Sequence, residues 1–600
     1  MAELTPIVLC LSRAGEATAH RVAVALDAPV HGREGRVEKA DAFFPNALDH
    51  ARMLFQAGHP VVGVCAAGIL VRAVAPVLAD KRAEPPVIAI PDDGSTVIPL
   101  LGGHHGANRL AKEIAEALSA HAAVTTAGDV SLGIALDEPP VGWRLANPED
   151  AKTVMMALLG GQKPIVEGEN IWEIEAGKGP VKLVASEAPV EAGPEALAYH
   201  PQRFALGLGC ARGCDAGEMW DLVQESLREA NIAPEAVACV ASLDLKADEP
   251  AMIETAKRLG VPFRVFTSEE LEAEAGRLAT PSEVVFAEVG CHGVAEGAAL
   301  VVAGAEGVLA VEKRKTLNAT CAVARAPEVI VELAGRARGK LSIVGIGPGQ
   351  HSWRTPEASM LIAGAEELVG YGLYIDLLGP LAAGKKRSDF PLGGEEDRCR
   401  YALEQAGKGR NVALICSGDA GIYAMGALVY ELLDRGPEAL GVSDAARRVE
   451  VVSTPGVSAL QGAAARAGAP LGHDFCAISL SDLLTPRADI VKRLKAAAEG
   501  DFVIAFYNPV SKRRRTLLAQ ARDILLKHRP ADTPVMLASN LGRPTEAVRY
   551  VRLDALEVDD VDMLTVVLVG SSNSRLAALG EGPRMYTPRG YARKIDGDLA

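Results

Sequence analysis

Short apolar runs, each closed by small or polar residues, recur along the whole 600-residue chain. Near the start PIVLCLS, PVVGVCAAG and PPVIAIP each give way to a stretch of helical period. That alternation predicts an α/β unit built on a parallel sheet. From Phe204 to Arg325 the runs ALGLG, AVACVASL, VVFAEVG and ALVVAG are expected as strands, interleaved with helices such as Ala216 to Ala230. Beyond Lys340 the runs LSIV, NVALICSGD, VEVVSTPG, CAISLSD, DFVIAFYNP, PVMLASN and LTVVLVGSS continue the pattern. Ligands in such sheets sit beyond the carboxyl ends of the strands, so small-residue endings on consecutive strands predict one composite pocket.

Two stretches without period read as connectors. Glu187 to Arg203 is polar and proline-bearing, and Ala326 to Lys340 ends in GRARGK. They divide the chain into α/β units over 1–135 and 204–325, with a poorly patterned middle at 136–203 and a linker at 326–340. The last unit is expected over 341–575, in lobes of about 341–472 and 473–575, with a tail at 576–600. No short-period repeat or low-complexity segment interrupts this plan.

Composition narrows the function. Hydrophobic residues make up 49% and charged residues 23% of the chain, an ordinary globular balance. A net charge of -15 disfavours a nucleic-acid partner, which would need a basic face. No run of about 18 apolar residues predicts a membrane span. The opening MAELTPIVLCLSRAGEA lacks the basic start and long apolar core of a secretion signal. Ten scattered cysteines fit buried thiols in a reducing cytoplasm, and Cys210-x3-Cys214 without partner ligands makes no zinc site, so no metal is expected.

The candidate chemistry lies in four loops. The first, GIGPG, carries Gly347, Pro348 and Gly349, lets a ligand approach backbone closely, and runs into a helix opened by Pro356. The second, Ser417-Gly418-Asp419, places a carboxylate among flexible neighbours, suited to ribose hydroxyls or an ammonium. The third, STPGVSA, offers Ser458 and Ala459 at a helix start, and the fourth offers Tyr507 and Asn508. No loop supplies a P-loop lysine, which disfavours triphosphate chemistry. Taken singly, each is also what any tight turn after a strand looks like. Ser511-Lys512-Arg513-Arg514-Arg515 follows at once and is suited either to gripping carboxylates or to a solvated helix start.

Taken in order, GIGPG, SGDAGIYAMG, STPGVSA, LGHDFCAISLSD, FVIAFYNP and LTVVLVGSS resemble the tetrapyrrole methyltransferases of cobalamin biosynthesis. VGYGLYIDLL and PLGHDFCAISLSDLLTP resemble the branch that methylates precorrin-3B at ring carbon 17. The resemblance implies two α/β lobes, S-adenosylmethionine in the cleft between them, a corrinoid substrate, and a homodimer through this part. It places cofactor contacts on Gly347, Pro348, Gly349, Ser417, Gly418, Asp419, Ser458, Ala459, Tyr507 and Asn508. Ala420 replaces the proline usual after Gly-Asp, which loosens the turn and keeps the carboxylate. A polycarboxylate substrate makes Lys512, Arg513 and Arg514 candidate substrate contacts. Asp482 and Asp389 are candidates for the proton movement of ring contraction, and His473 is a packing or capping residue.

In the first half, CAAGILVR, VIPLLGGHHGANRLA, GLGCARGCDAGEM and SLDLKADEP resemble the cobalamin biosynthesis G family, which includes a cobalt-precorrin-5A hydrolase. The piece over about 204–325 also resembles the small E protein of the aerobic pathway. Hydrolysis of a ring lactone implies a general base, and His104, His105 and Lys246 are the candidates. The whole is expected to be an α/β fusion of two corrin-pathway proteins, either bifunctional or with a binding module in front, and other cobalamin-pathway enzymes are expected partners.

Overall fold

A computed structural model describes residues 4–80, 84–511 and 515–595, except for the side chains of His104, Ala127, Asp129, Ala592 and Arg593. The first sheet orders its strands Ala42–Phe44, Val30–Arg33, Ile7–Cys10, Val61–Val64, Val87–Ile90, Thr96–Leu101 and His121–Ala122. Its first five strands pair in parallel, and Thr96–Leu101 runs antiparallel to Val87–Ile90.

The stretch expected to be a connector at Glu187 to Arg203 is part of a sheet. Ala196–Pro201 lies between Trp143–Leu145 and Lys182–Ala185, and Leu197 and Tyr199 are buried in that unit's core. Leu197 and Tyr199 enter that core two residues apart, but the unbroken apolar run ALAY leaves no alternation to read, and Pro194 and Pro201 resemble a connector's. The third sheet holds Phe204–Cys210 and Val237–Leu243 at its centre. VVFAEVG and ALVVAG, expected as strands, fall in the helices Glu283–Val289 and Val294–Ala303. Val294–Ala303 packs against Phe204–Cys210 with nearly every residue buried, so it has no polar face to reveal its period.

The linker is also structured. Arg336–Ala337 adds an edge strand to the third sheet, and Lys340–Gly345 begins the next sheet three residues later. A Cβ at Gly339 would overlap the Ala406 carbonyl, and Arg338 donates to Arg448 O at 2.9 Å and Val449 O at 3.1 Å.

The last part has two five-stranded sheets. The first is all parallel: Lys386–Phe390, Glu367–Tyr371, Asn411–Cys416, Lys340–Gly345 and Glu450–Thr454. The second orders Phe475–Ser479, Val503–Tyr507, Thr565–Val569, Pro534–Ser539 and Ala547–Arg552. The expected tail contributes structure as well: Arg575–Leu579 and Gly582–Tyr586 form a hairpin that pairs with Gly468–Ala469, and Met585 is fully buried.

One hydrophobic cluster crosses the domain boundary. Leu9, Phe44, Leu54 and Phe55 of the first unit share it with Ile346, Ile362, Ile375 and Leu381 of the last. Arg354, 8% exposed, donates to Ser359 Oγ at 3.0 Å and reaches Met53 Sδ of the first unit at 3.3 Å. Beside this core a cavity of about 610 Å³ is lined by His31, Leu54, His59, Leu381 and Lys385. Burial lowers the pKa of His31 to about 4, of His50 to about 3 and of His59 to about 4.

Each histidine has a folded-state pKa below its unfolded value. The stability this represents is present above about pH 6.5 and is lost as pH falls toward 4 and below. Urea unfolding across that range is expected to show a declining midpoint. His50→Leu should flatten the slope by up to about 1.4 kcal/mol per pH unit. An unchanged slope would remove His50 from the account. Leu54→Ala is expected to cost about 2–5 kcal/mol and to destabilise both parts of the shared core together, read by hydrogen exchange in Ile362 and Leu9. Exchange confined to the first unit would show that the two cores are independent.

Candidate active site

Strand order explains why three distant loops meet. Lys340–Gly345 lies between Asn411–Cys416 and Glu450–Thr454, so the loops that follow all three leave the same edge side by side. Gly347 and Gly418 exchange both backbone bonds, N to O at 3.1 Å and 2.8 Å, with φ of 74° and 71°. A Cβ at Gly345 would come 2.8 Å from Gly418 O, and one at Gly456 would overlap that carbonyl. The glycines are therefore needed first for loop-on-loop packing.

Asp419 ties this stack from its side chain. Its Oδ1 accepts Gly421 N at 2.8 Å and its Oδ2 accepts Gly456 N at 3.1 Å. Each oxygen keeps a further lone-pair direction for a ligand. Ser458 caps the helix Ala459–Ala467 through a reciprocal box with Gln461, and Tyr507 OH accepts Leu460 N at 3.0 Å. Tyr423 spans the lobes, donating to Ala477 O at 2.8 Å, with its ring 5.1 Å from that of Tyr507. Burial raises the pKa of the Tyr374 and Tyr423 hydroxyls, so both stay protonated at neutral pH. Tyr423, Asn508 and Asn540 all have φ near +50° (50°, 51° and 51°), a strained setting for a bulky tyrosine.

The inter-lobe cleft is lined by Pro348, Ser417, Gly418, Asp419, Ser458, Ala459, Tyr507 and Asn508, all singled out from sequence. Gly347 and Gly349 do not line it but shape its wall. The cleft also takes residues that the motifs did not signal, among them Tyr374, Asn540, Arg543 and Met563. Tyr374 was visible in VGYGLYIDLL and Arg543 in the turn after PVMLASN, but only the fold turns them inward.

Other candidates lie elsewhere. Asp482 is on the turn after Phe475–Ser479 and does not line the cleft. Asp389, in Lys386–Phe390, accepts Arg387 Nε at 2.6 Å, so its carboxylate serves an ion pair. His473, in the loop before Phe475–Ser479, accepts Asp474 N on Nδ1 at 2.9 Å and caps no helix. Lys512, Arg513 and Arg514 lie outside the described residues.

In the first half His105 ends a 3-10 turn after Thr96–Leu101, whereas Lys246 ends a 3-10 turn after Val237–Leu243 of the third sheet, so the candidate bases occupy different domains. Only the backbone of His104 is described, in the same turn as His105. Lys246 Nζ lies 3.9 Å from Oε2 of the fully buried Glu249, which also meets Arg212 at 3.3 Å and accepts Gly213 N at 2.8 Å.

Comparison with known proteins places this cleft. The family model for tetrapyrrole (corrin/porphyrin) methylases matches residues 340–557. A precorrin-3B C(17)-methyltransferase from Sinorhizobium sp is 43% identical over 42% of this chain and 98% of its own length. The chain belongs to the tetrapyrrole methylases. A probable cobalt-factor III C(17)-methyltransferase of Salmonella typhimurium is 44% identical, over 42% of this chain and 99% of the relative. The crystal structure of the methyltransferase CobJ is 39% identical, covers 42% of this chain and 100% of that chain, and has a TM-score of 0.39. Ahead of the methylase part, the models for cobalamin synthesis G N-terminal and cobalamin synthesis G C-terminus match residues 49–129 and 204–324. Among the described residues no single helix is long and apolar enough to cross a membrane.

Asp419→Ala in this methylase removes a carboxylate from the cleft and also frees two loop amides. S-adenosylmethionine affinity is expected to fall roughly tenfold or more by calorimetry. Wild-type affinity in that variant would mean that Asp419 serves the loops alone.

Proposed function

We propose that the chain transfers a methyl group from S-adenosylmethionine to ring carbon 17 of precorrin-3B, or of its cobalt-bearing counterpart, with ring contraction. Two supports carry this reading: the identity to the Sinorhizobium enzyme across almost its full length, and the presence of eight candidate contacts along one cleft. The lining suits the cofactor. Leu541, Met563, Leu564 and Val566 offer an apolar wall, while Asp419, Ser417 and Asn508 offer polar groups to a sugar and an amino-acid end. Pro348, Ser417, Gly418, Asp419, Ser458, Ala459, Tyr507 and Asn508 would hold it.

Bound there, the cofactor supplies an electrophilic methyl on a sulfonium leaving group, which needs little acid-base help. The protein's part is placement. The stacked glycine loops fix one wall, and Tyr423 fixes the spacing of the lobes through Ala477, so the substrate ring is held against a preset surface. Tyr374 and Tyr423 remain neutral and add no negative charge to the cleft.

For the first half, a second activity on the corrinoid lactone is favoured by the two cobalamin synthesis G matches and by the Arg212–Lys246–Glu249 cluster. A homodimer through the methylase part completes the proposal. Mass spectrometry of the full chain incubated with S-adenosylmethionine and, in parallel, precorrin-3B or its cobalt-bearing counterpart is expected to show one added methyl group on one of the two. Both substrates left unmodified would overturn the assignment. Acetaldehyde released from a lactone substrate would assign hydrolysis to the first half, and its absence would leave that half as a corrinoid-binding module.

A further inference from the structure

Arg543 enters the inter-lobe cleft from the turn after Pro534–Ser539, and each part of that turn is held. Gly542, at φ 69°, donates its N–H to Glu546 Oε2 at 2.6 Å. Glu546 in turn pairs with Arg466 Nε at 2.6 Å, and the Arg466 guanidinium lies 4.6 Å from the centre of the Trp353 ring. The Arg543 stem crosses Gly349, where a Cβ would come 2.7 Å from its Cγ. That contact accounts for the last glycine of GIGPG.

Arg543 Nε donates to Pro348 O at 3.3 Å, which uses one of five guanidinium N–H groups. Among the described residues no carboxylate pairs with Arg543, whereas Arg466 and Arg549 nearby are both paired with acids. Tyr374 lies close enough to feel its charge. A cation held at Cγ by Gly349 and at Nε by Pro348, with no carboxylate on its fork among the described residues, is organised for a bidentate acceptor.

We propose that Arg543 is the carboxylate clamp of the inter-lobe cleft, closing on an acid group of a bound ligand across the seam between the lobes. The ligand identities rest on the methyltransferase reading. Two carboxylates meet the description: the amino-acid end of the cofactor and an acidic side chain of the tetrapyrrole.

The test uses the full chain with Arg543→Met, which keeps an aliphatic stem over Gly349. Calorimetry compares S-adenosylhomocysteine with methylthioadenosine, which lacks the carboxylate, and kinetics give KM for precorrin-3B. If the cofactor is the source, S-adenosylhomocysteine binding falls roughly tenfold or more and methylthioadenosine binding is unchanged. If the substrate is the source, KM for precorrin-3B rises by a similar factor with both adenosyl ligands unaffected.

Wild-type values throughout overturn the proposal. So does an equal loss of both adenosyl ligands, because that marks a merely structural residue. Should Arg543→Met fail to fold, Arg543→Lys keeps the charge without the fork, and a smaller loss for the same ligand is expected. Unchanged values there also overturn it. If the wild-type chain methylates neither precorrin-3B nor its cobalt-bearing counterpart, the functional reading fails and the adenosyl pair alone decides the clamp.

Discussion

Gly347 and Gly418 meet backbone to backbone, and the geometry of the methylase cleft follows from that contact. Two strand ends in a parallel sheet are spaced by the width of a strand, and side chains normally fill the space between their loops. Here Gly345 and Gly456 remove the Cβ atoms that would hold the loops apart. The loops close on one another, and Asp419 fastens the third to the second. The wall presented to a ligand is therefore mostly main chain, whose position does not depend on rotamers.

The spacing of the two lobes is set by strain and by distant support. Tyr423 occupies a left-handed conformation unfavourable to a bulky side chain, a penalty on the order of 1–3 kcal/mol. It is offset by what the hydroxyl reaches, a main-chain carbonyl of the second lobe. Behind the first lobe, the helix Pro356–Ala363 is covered by the amino-terminal unit rather than by water. The methylase lobe in this chain shares its core with a domain of another family, and buried histidines at that seam make the join sensitive to acid.

Much of this was legible in the sequence because the cleft is built from strand ends. LSIVG, NVALIC and FVIAFY are uniformly apolar runs that stop at glycine, serine or asparagine, and each proved to be a buried strand followed by a lining loop. Ser458 was identified by its place in STPGVSA, yet its capping partner Gln461 shows that local chemistry alone would also have kept a serine there. What stayed hidden depends on three-dimensional placement. Val294–Ala303 is apolar on every side, so it has no period to reveal a helix. Ala196–Pro201 carries prolines that resemble a connector's, and Arg543 is one arginine among many until the fold sets it in the cleft, where no carboxylate among the described residues pairs with it.

The segment joining the third sheet to the methylase was expected to be a tether, and it is a strand followed by two residues packed against the next domain. A tether would let one active site swing toward another and carry a labile intermediate across by local concentration. A strand hydrogen-bonded to Phe263–Phe266 cannot pivot without unzipping a sheet edge. If the two halves share an intermediate, its transfer depends on the surface between them and not on a moving arm.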